Sequence, residues 1–466
     1  MSNTMWTYIE GGRLMVNRLA CYLLILSTIT LLSTNYGLAQ NPLILDQFTS
    51  DPTARVFEGK VYVYPSHDIL AKPGQGRPGW FCMEDYHVFS SENLTDWTDH
   101  GVIVNQNDVN WIDPNSYSMW APDCVCKDGK YYFYFPSSAK PRGRRIGVAI
   151  ADRPDGPFKP EAKPIEGVRG IDPCVLIDKD GKAYLYYSLN RIFVARLKDN
   201  MLELDSEPQV IGNLPTKGLL EGPFVFERNG IYYLTYPHVQ NKIERLEYSI
   251  GDNPMGPFEP KGVIMDESPS GCWTNHHSIV EYQGQWYLFY HDKDLSPDFD
   301  KNRSIRVDYL YFNDDATIQK VIPTLRGVGI TNARKEIQID RYSAISQEGA
   351  SVSFLNDENK HEGWKTILTT RDAWVQYNQV DFGDKQVDSV KVKASSATGG
   401  TIALRLDAID GPLIVQVEVP QNTDWNVVSV TLSEIPFGIQ DLVVVLTDAS
   451  NVEIDWVRFE YKDIES

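Results

Sequence analysis

The chain has 466 residues, which is more than one ordinary hydrophobic core organises, so at least two domains are expected. Hydrophobic residues make up 42% and charged residues 23%, which excludes a disordered chain, and the 12% of aromatic residues favours β-structure and suits sugar binding. The formal net charge of −19 argues against nucleic acid and anionic membrane surfaces as partners and is compatible with a neutral ligand.

The N-terminus has the features of an export signal. Arg13 and Arg18 precede an apolar run from Leu19 to Leu32, and small residues follow, ending in Gly37-Leu38-Ala39. We expect residues 1–39 to be a signal peptide and the mature protein to be periplasmic or extracellular. The apolar run is too short for a comfortable membrane span, and the sequence has no second candidate.

Five segments of the next three hundred residues repeat one pattern, a turn glycine followed by alternating aromatic and aliphatic residues. They read FEGKVYVYPS, KDGKYYFYFPSS, KDGKAYLYYS, RNGIYYLTYP and YQGQWYLFYH, and their glycines are Gly59, Gly129, Gly181, Gly230 and Gly284. After a first gap of 70 residues the spacings are 52, 49 and 54, which accommodates four short antiparallel strands per unit. Radial repetition of such units predicts a five-bladed β-propeller, with an irregular β-sandwich as the alternative.

A polar residue stands near the start of the leading strand of each repeat. Asp51, Asp123, Asp172, Glu221 and His276 precede their turn glycines by six to nine residues. The first strand of each propeller blade lines the axis, so these side chains are expected to meet at one mouth of the channel. An Asp-Pro or Glu-Gly-Pro motif alone is typical of a turn, and only its recurrence favours function.

Three carboxylates and a histidine at one channel mouth allow two kinds of chemistry. They could hold a metal ion. Alternatively, one carboxylic acid could protonate the leaving oxygen of a glycosidic bond while another carboxylate activates water. A third carboxylate would then raise the pKa of the acid, which would stay protonated near neutral pH.

Residues 41–326 resemble glycoside hydrolase family 43. The resemblance is carried, in order, by SDPTARVFEGKVYVYPSHD, WAPD, GIDPCVLID, LEGPFVF and NHHSIVEYQGQWYLFYH. It implies a five-bladed propeller that hydrolyses arabinofuranosides or xylosides with inversion. The related sucrose- and fructan-cleaving propellers, which retain configuration, differ from this chain at Ser50-Asp51-Pro52, Ile171-Asp172-Pro173 and Glu221-Gly222.

The resemblance also implies roles for individual residues. Asp51 matches the catalytic base, Glu221 the general acid, and Asp172 the acid that tunes the pKa and orients the substrate. His276 matches a histidine near the channel centre that often helps to hold a calcium ion through water. No other cofactor is expected.

Further residues are implied to contact the substrate or to line its pocket. They are Trp120, Arg303, His67 and Trp273, with Trp80 and Phe81 as further wall candidates and Asp123 behind Trp120. Arg306 is the alternative to Arg303. A structural hydrogen bond is an equal alternative for His67, as core packing is for the aromatic residues.

The remaining residues, 336–463, have a different pattern. Alternating strands such as TIALRLDA, LIVQVEVP and DLVVVLTD predict an antiparallel β-sandwich. EGWKTILTTRDAWVQYNQVDFG and IDWVRFEY resemble carbohydrate-binding module family 6, a jelly roll, which implies that Trp364 and Trp425 clamp a sugar ring. Glu453 stands where family members often have asparagine, so a domain that only packs is the alternative.

The combined expectation is a secreted exo-glycosidase that removes α-L-arabinofuranose from arabinoxylan or arabinan, with plant cell-wall polysaccharide as its partner. A β-xylosidase acting on xylo-oligosaccharides needs the same acid and base. A non-catalytic glycan-binding propeller is the alternative outside the enzymes, and the complete set of acids argues against it.

Overall fold

The computed structural model describes residues 39–218, 220–358, 362–384 and 387–461, so the expected export signal lies outside it except for Ala39. Regular structure in the described residues is almost entirely β, as predicted, with one 3-10 helix at Gln106–Asp108. In the described part of the chain, no helix is long and apolar enough to cross a membrane.

Five antiparallel sheets follow one another along residues 48–310, and their strands pair in chain order. Sheet 1 contains β1 (Phe48–Phe57), β2 (Lys60–Asp68), β3 (Met83–Ser91) and β4 (Thr98–Asn105). Sheet 2 contains β5 (Asp123–Lys127), β6 (Lys130–Ser138), β7 (Arg144–Ala151) and β8 (Lys159–Pro160). Sheet 3 contains β9 (Ile171–Ile177), β10 (Ala183–Ser188), β11 (Ile192–Leu197) and β12 (Gln209–Val210). Sheet 4 contains β13 (Phe224–Arg228), β14 (Ile231–Val239), β15 (Glu244–Gly251) and β16 (Glu259–Met265), and sheet 5 contains β17 (Ser278–Tyr282), β18 (Gln285–Asp292) and β19 (Ser304–Leu310).

The five predicted turn glycines all lie between the first and second strands of their sheets. Their φ angles are between 74° and 85°, a left-handed conformation that glycine adopts without a steric penalty. The alternating residues that follow each glycine give β-branched and aromatic side chains to both faces of the sheet.

The first strands of the five sheets contact one another in a closed cycle. β1 contacts β5, β5 contacts β9, β9 contacts β13, β13 contacts β17, and β17 contacts β1. Apolar side chains fill the space between neighbouring sheets; Tyr64 of sheet 1 packs against Phe133 of sheet 2, for example, with ring centres 5.8 Å apart. This arrangement brings the N-terminal ends of the five first strands close together.

The C-terminal residues form two further sheets. One has the order β20-β25-β30-β27-β28, with β22 paired to β25, and the other has the order β23-β24-β31-β26-β29, with β21 paired to β31. Their bounds are β20 (Thr331–Asn332), β21 (Ile337–Gln338), β22 (Ala344–Ile345), β23 (Ala350–Phe354), β24 (Trp364–Leu368), β25 (Trp374–Asp381), β26 (Val387–Ser396), β27 (Gly400–Leu406), β28 (Leu413–Val419), β29 (Asn422–Thr431), β30 (Ile439–Leu446) and β31 (Val452–Tyr461). Valine, leucine and isoleucine side chains from both sheets share one apolar core.

A fully buried arginine joins the two groups of sheets. The Arg326 guanidinium donates to the carbonyl oxygens of Asn378 at 2.8 Å and Gly329 at 2.7 Å, and it lies 4.4 Å from the ring centre of Tyr377. The Tyr377 hydroxyl donates to the carbonyl oxygen of Ala39 at 2.6 Å. Charge-assisted hydrogen bonds therefore hold the C-terminal sheets to the segment that follows sheet 5.

Candidate active site

A cavity of about 290 Å³ opens at the N-terminal ends of the first strands, and residues from all five sheets or their connections line it. Most of the predicted site residues are among them: Asp51, Trp120, Asp172, Glu221, Trp273, His276 and Arg303. The candidate wall residues Trp80 and Phe81 line it as well. His67 does not line this cavity.

Two of the three acids lie near the start of their strands in an unusual backbone conformation. Asp51 has a φ of 47° and Asp172 a φ of 54°, and strand pairing shifts register at the same point in both sheets. Gly222 occupies the corresponding position in sheet 4 with a φ of 55°, and all three residues precede a proline. Non-glycine residues in the left-handed region are strained and cluster at functional sites.

Glu221 lies one residue before the strand position that Asp51 and Asp172 occupy in their own sheets, because Gly222 takes that position in sheet 4. Asp172 and Glu221 both precede their turn glycine by nine residues, which hid the offset between them, because the turn of sheet 3 is longer: Ile177 pairs with Ala183 there, whereas Arg228 pairs with Ile231 in sheet 4. A Cβ atom on Gly222 would lie 2.8 Å from Pro237 Cγ and 2.9 Å from His276 Nδ1. Glycine is therefore required at position 222 to bring the Glu221 backbone this close to His276.

The Asp51 carboxylate is held by Arg303. The guanidinium donates to Asp51 Oδ1 at 2.7 Å and to Oδ2 at 3.3 Å, and to the two oxygens of Asp68 at 3.0 Å each. Burial opposes ionisation of Asp51, but the Arg303 charge outweighs it and lowers the pKa of Asp51 to about 2. Asp51 is thus a carboxylate throughout the neutral and mildly acidic range.

His291 is a neutral ring that fixes the Asp51 backbone by a hydrogen bond. Its Nδ1 accepts a hydrogen bond from the Asp51 backbone N–H at 3.0 Å, so its proton lies on Nε2, which donates to the carbonyl oxygen of Thr274 at 3.0 Å. Burial and the nearby Arg303 lower the pKa of His291 to about 3, which agrees with this tautomer.

The other two predicted acids face an environment that favours their protonated forms. Asp172 Oδ2 accepts hydrogen bonds from Ser188 Oγ at 2.9 Å and from the Gly222 backbone N–H at 3.0 Å. Burial and the Glu221 carboxylate raise the pKa of Asp172 to about 7. Burial and the Asp51 charge also raise the pKa of Glu221. The cavity thus combines one carboxylate of lowered pKa with two acids of raised pKa.

Glu244 is a fourth acid of the cavity that the sequence analysis missed. Its Oε2 accepts from the Asn275 backbone N–H at 2.6 Å, and its side chain shares a hydrogen bond with the Glu221 carboxyl group. Burial and the Glu221 charge raise the pKa of Glu244 well above its usual range. Glu244 begins the third strand of sheet 4, and no first-strand motif marks it in the sequence.

Aromatic rings form one wall of the cavity. The rings of Phe81 and Trp273 lie 6.3 Å apart and within 22° of parallel, and Trp80 lies 5.9 Å from Trp273. The Arg303 guanidinium lies 4.5 Å from the ring centre of Phe81. On another side, Arg144 lies 5.4 Å from the Trp120 ring. Such walls offer flat apolar surfaces to a sugar ring beside charged hydrogen-bonding groups.

Three candidates of the sequence analysis have partners away from the cavity. Arg306 pairs with Asp294, its Nε donating at 2.8 Å, so Arg303 is the arginine that reaches Asp51. Asp123 accepts from Arg55 at 2.7 Å and from the Val175 backbone N–H at 2.6 Å, which joins sheets 1, 2 and 3. His67 Nδ1 lies 2.6 Å from an oxygen of Asp85.

The two predicted tryptophans of the C-terminal sheets line a second cleft, of about 840 Å³. Trp364 and Trp425 share it with Trp456 and with the loop Asp294–Asp298 that follows sheet 5 strand β18. Arg341 lies 3.9 Å from the Trp364 ring centre and covers one of its faces. Glu453, at the position where related modules often carry asparagine, pairs with Lys365 at 2.8 Å.

Comparison with known families identifies the first group of sheets. Residues 39–318, more than half of the chain, match the model of glycosyl hydrolases family 43. The chain belongs to glycoside hydrolase family 43. Residues 343–461 match the model of carbohydrate binding module family 6. Both resemblances noted in the sequence are confirmed, and the family 43 chain is a glycoside hydrolase.

Named relatives of this family 43 enzyme include xylosidases and arabinofuranosidases. It is 38% identical over 326 residues to the xylosidase/arabinosidase 43A of Humicola insolens, which covers 59% of this chain and 98% of the relative. It is 28% identical over 476 residues to the arabinoxylan arabinofuranohydrolase of Paenibacillus polymyxa, which covers 88% of this chain and 72% of the relative.

Solved family 43 structures that are similar to this chain also include xylosidases and arabinofuranosidases. CoXyl43, a β-xylosidase/α-arabinofuranosidase from a compost metagenome solved with xylotriose in a calcium-free form, is 38% identical with a TM-score of 0.55 and covers 61% of this chain and 98% of its own. The Bacillus subtilis arabinoxylan arabinofuranohydrolase, solved with cellotetraose, is 25% identical with a TM-score of 0.53 and covers 91% of this chain and 97% of its own.

Proposed function

We propose that this family 43 enzyme is an inverting exo-α-L-arabinofuranosidase that releases arabinofuranose from side chains of arabinoxylan or arabinan. The observation that carries the proposal is the extent of the match: arabinoxylan arabinofuranohydrolases align with 88% and 82% of the chain, through both groups of sheets. The xylosidase/arabinosidase relatives align with 59%. Their higher identity, 38% and 37%, supports β-xylosidase activity as the second candidate.

The proposed architecture follows from the cycle of contacts between first strands. We infer that the five sheets are the blades of a five-bladed propeller of residues 41–326, and that the C-terminal sheets form a jelly-roll module of residues 336–463. Both inferences are supported by the sheet order and by the matched families.

Asp51 is the proposed catalytic base. Its carboxylate stays ionised because Arg303 neutralises it, and Arg303 is itself fixed by Asp68. The carboxylate accepts a proton from the water that attacks the anomeric carbon, and the wall formed by Phe81 and Trp273 holds the sugar ring. Arg303 keeps the carboxylate in one orientation, and its five N–H groups are all engaged, with Asp51, Asp68 and Thr274.

Glu221 is the proposed general acid. Burial and the negative charge of Asp51 raise the pKa of Glu221, which favours its protonated form, and the proton passes to the glycosidic oxygen as the bond breaks. Glu244 partly opposes this rise through a side-chain hydrogen bond with Glu221. Asp172 also receives the Gly222 backbone N–H, so it fixes the peptide bond that follows Glu221.

A calcium ion near His276 is part of the proposal, and the surrounding residues fit a hydrated cation. The Asn275 Oδ1 oxygen is buried and has no donor among the described residues, Glu244 lines the same cavity, and oxygen atoms are the ligands that calcium prefers. With His276 acting through water, they would hold the ion, whose charge would lower the repulsion between the acids.

The expected setting is outside the cytoplasm, with plant cell-wall polysaccharide as the substrate. Export rests on the sequence features of residues 1–39. The family 6 module supports a polymeric substrate, and we propose that the cleft with Trp364 and Trp425 binds it. His67 would contact the substrate only where a bound polymer extends beyond the cavity.

Hydrolysis of nitrophenyl α-L-arabinofuranoside and nitrophenyl β-D-xyloside tests the proposal, with the anomer of the first product followed by proton NMR. We expect the arabinofuranoside to be the better substrate and the configuration to be inverted. A higher kcat/KM on the xyloside would favour the second candidate. Loss of turnover on arabinoxylan in Glu221→Gln, with activity kept in Glu247→Gln, would separate catalysis from glycan binding alone.

A further inference from the structure

A second cluster of ligand-type side chains lies on sheet 1, outside the cavity. His67 on β2 and Asp85 and His87 on β3 each offer one ligand atom, and these atoms lie within 4.8 Å of one another. The three side chains are 14–19% exposed, so solvent reaches them while the strands fix their backbones. The proposed hydrolysis does not use this cluster.

The two imidazole rings already have the relative position of ligands to one ion. Their centres are 4.9 Å apart and their planes are inclined by 73°. Two histidines bound to a tetrahedral Zn²⁺ at Zn–N distances of about 2.0–2.1 Å have ring centres about 5 Å apart. An edge-to-face ring contact has the same spacing, so the spacing supports a metal site only together with the carboxylates around the two rings.

A carboxylate orients one of the rings from the side opposite to the proposed ion. His87 Nδ1 lies 3.0 and 3.1 Å from the two oxygens of Asp99. Asp99 in turn accepts from Gln47 Nε2 at 3.0 Å and from the Gly101 backbone N–H at 2.7 Å. Histidines that bind metals usually donate their other ring N–H to such an acceptor, which fixes the tautomer and leaves Nε2 free as the ligand.

The contact between His67 and Asp85 supplies the remaining ligands. His67 Nδ1 and Asp85 Oδ1 are 2.6 Å apart, a distance that requires a proton between them. A metal ion would replace such a proton and bind the neutral imidazole and the carboxylate at once, with the two atoms about 3.3 Å apart instead of 2.6 Å. Two histidines, one carboxylate and an open position for water form a common zinc site.

We propose that His67, Asp85 and His87 bind a divalent transition-metal ion of the Zn²⁺ class, with Asp99 orienting His87. The ion would cross-link β2 and β3 at the end of β2. Asp68, the next residue after His67, holds Arg303, so the cross-link would also stabilise the support of the Asp51 carboxylate.

Calorimetric titration of the EDTA-treated full-length protein with ZnCl₂ tests the site. We expect His87→Ala to bind one Zn²⁺ fewer than the wild type, and Asp99→Asn to bind the same number with about 10- to 100-fold lower affinity at this site. His100→Ala is the matched control, because His100 lies on the same sheet but contacts Ser90 and Asp155 instead. It should keep the wild-type stoichiometry.

Zinc bound to the carboxylates of the cavity would remain in His87→Ala, so the difference in stoichiometry isolates the proposed site. Equal stoichiometry in wild type and His87→Ala, or no zinc binding at all, would overturn the proposal. If His87→Ala does not fold, Asp85→Asn takes its place, and an anomalous diffraction peak at the zinc edge between His67 and His87 gives an independent measurement. Absence of that peak in zinc-soaked wild-type crystals would equally overturn it.

Discussion

The Arg303 guanidinium donates to both oxygens of Asp51 and to both oxygens of Asp68. One cation thus neutralises two buried carboxylates that lie on the first and second strands of the same sheet. The proposed base owes both its ionisation and its orientation to this single side chain.

Replacing Arg303 by lysine should shift the acid side of the pH profile. Arg303 lowers the pKa of Asp51 to about 2, so its loss as a bidentate donor raises that pKa. The acid limb of kcat/KM should therefore move to higher pH, which a profile from pH 3 to 8 would detect. Arg303→Ala should in addition lower the free energy of unfolding by about 3–5 kcal/mol, because two buried carboxylates lose their partner. An unshifted acid limb in Arg303→Lys would contradict the assignment of Asp51.

Glu221→Gln should affect poor leaving groups more than good ones. A general acid contributes about 10²–10⁴-fold to the rate, and nitrophenolate leaves with little need for protonation. We expect the loss in kcat on arabinoxylan to exceed the loss on the nitrophenyl substrate. Glu247→Gln serves as the control, because Glu247 lies on the same sheet and pairs with His238 and Arg245 instead of lining the cavity. Equal losses on both substrates would point to another role for Glu221.

Asp172→Asn should change how stability depends on pH. The pKa of Asp172 is about 7 in the folded protein and about 3.9 in an unfolded chain, so the unfolded state loses its proton first as pH rises. This group therefore stabilises the fold fully below about pH 4 and progressively less up to about pH 7. Urea unfolding at several pH values should give a flatter curve for Asp172→Asn than for the wild type across that window. Parallel curves would mean that Asp172 is ionised in the folded protein.

Gly222→Ala tests the tight packing between Glu221 and His276. The added methyl group would lie 2.8 Å from Pro237 and 2.9 Å from His276 Nδ1, whereas the same change at Gly230 meets nothing within 4 Å. Both glycines have positive φ angles, 55° and 85°. Gly230→Ala is therefore the control, because it carries only the energetic cost of placing alanine at a positive φ. We expect Gly222→Ala to be less stable than Gly230→Ala by about 1–3 kcal/mol and to lose activity. Equal stability of the two variants would exclude close packing at this point.

The sequence predicts much of this site because the repeats mark it. Turn glycines and alternating aromatic residues locate the hairpins, and Asp51 and Asp172 stand at corresponding positions before a proline. The offset of Glu221 could not be predicted, because it depends on how many residues each turn inserts. Arg303 and Arg306 lie three residues apart, and only the pairing of Arg306 with Asp294 distinguishes them. Glu244 reaches the cavity from a third strand, which a search for first-strand motifs does not examine.

The buried Arg326 affects how one polysaccharide chain would bind at both the cleft and the cavity. Within the part of the chain that the structure describes, Arg326 and the Tyr377 ring pack the segment between the cavity and the cleft with Trp364 and Trp425 into the fold. The distance between the two is then set by packing and not by the reach of a linker. A polysaccharide held in the cleft would present a branch to the cavity only where the spacing of its substituents matches that distance, so the fold itself would select among decoration patterns.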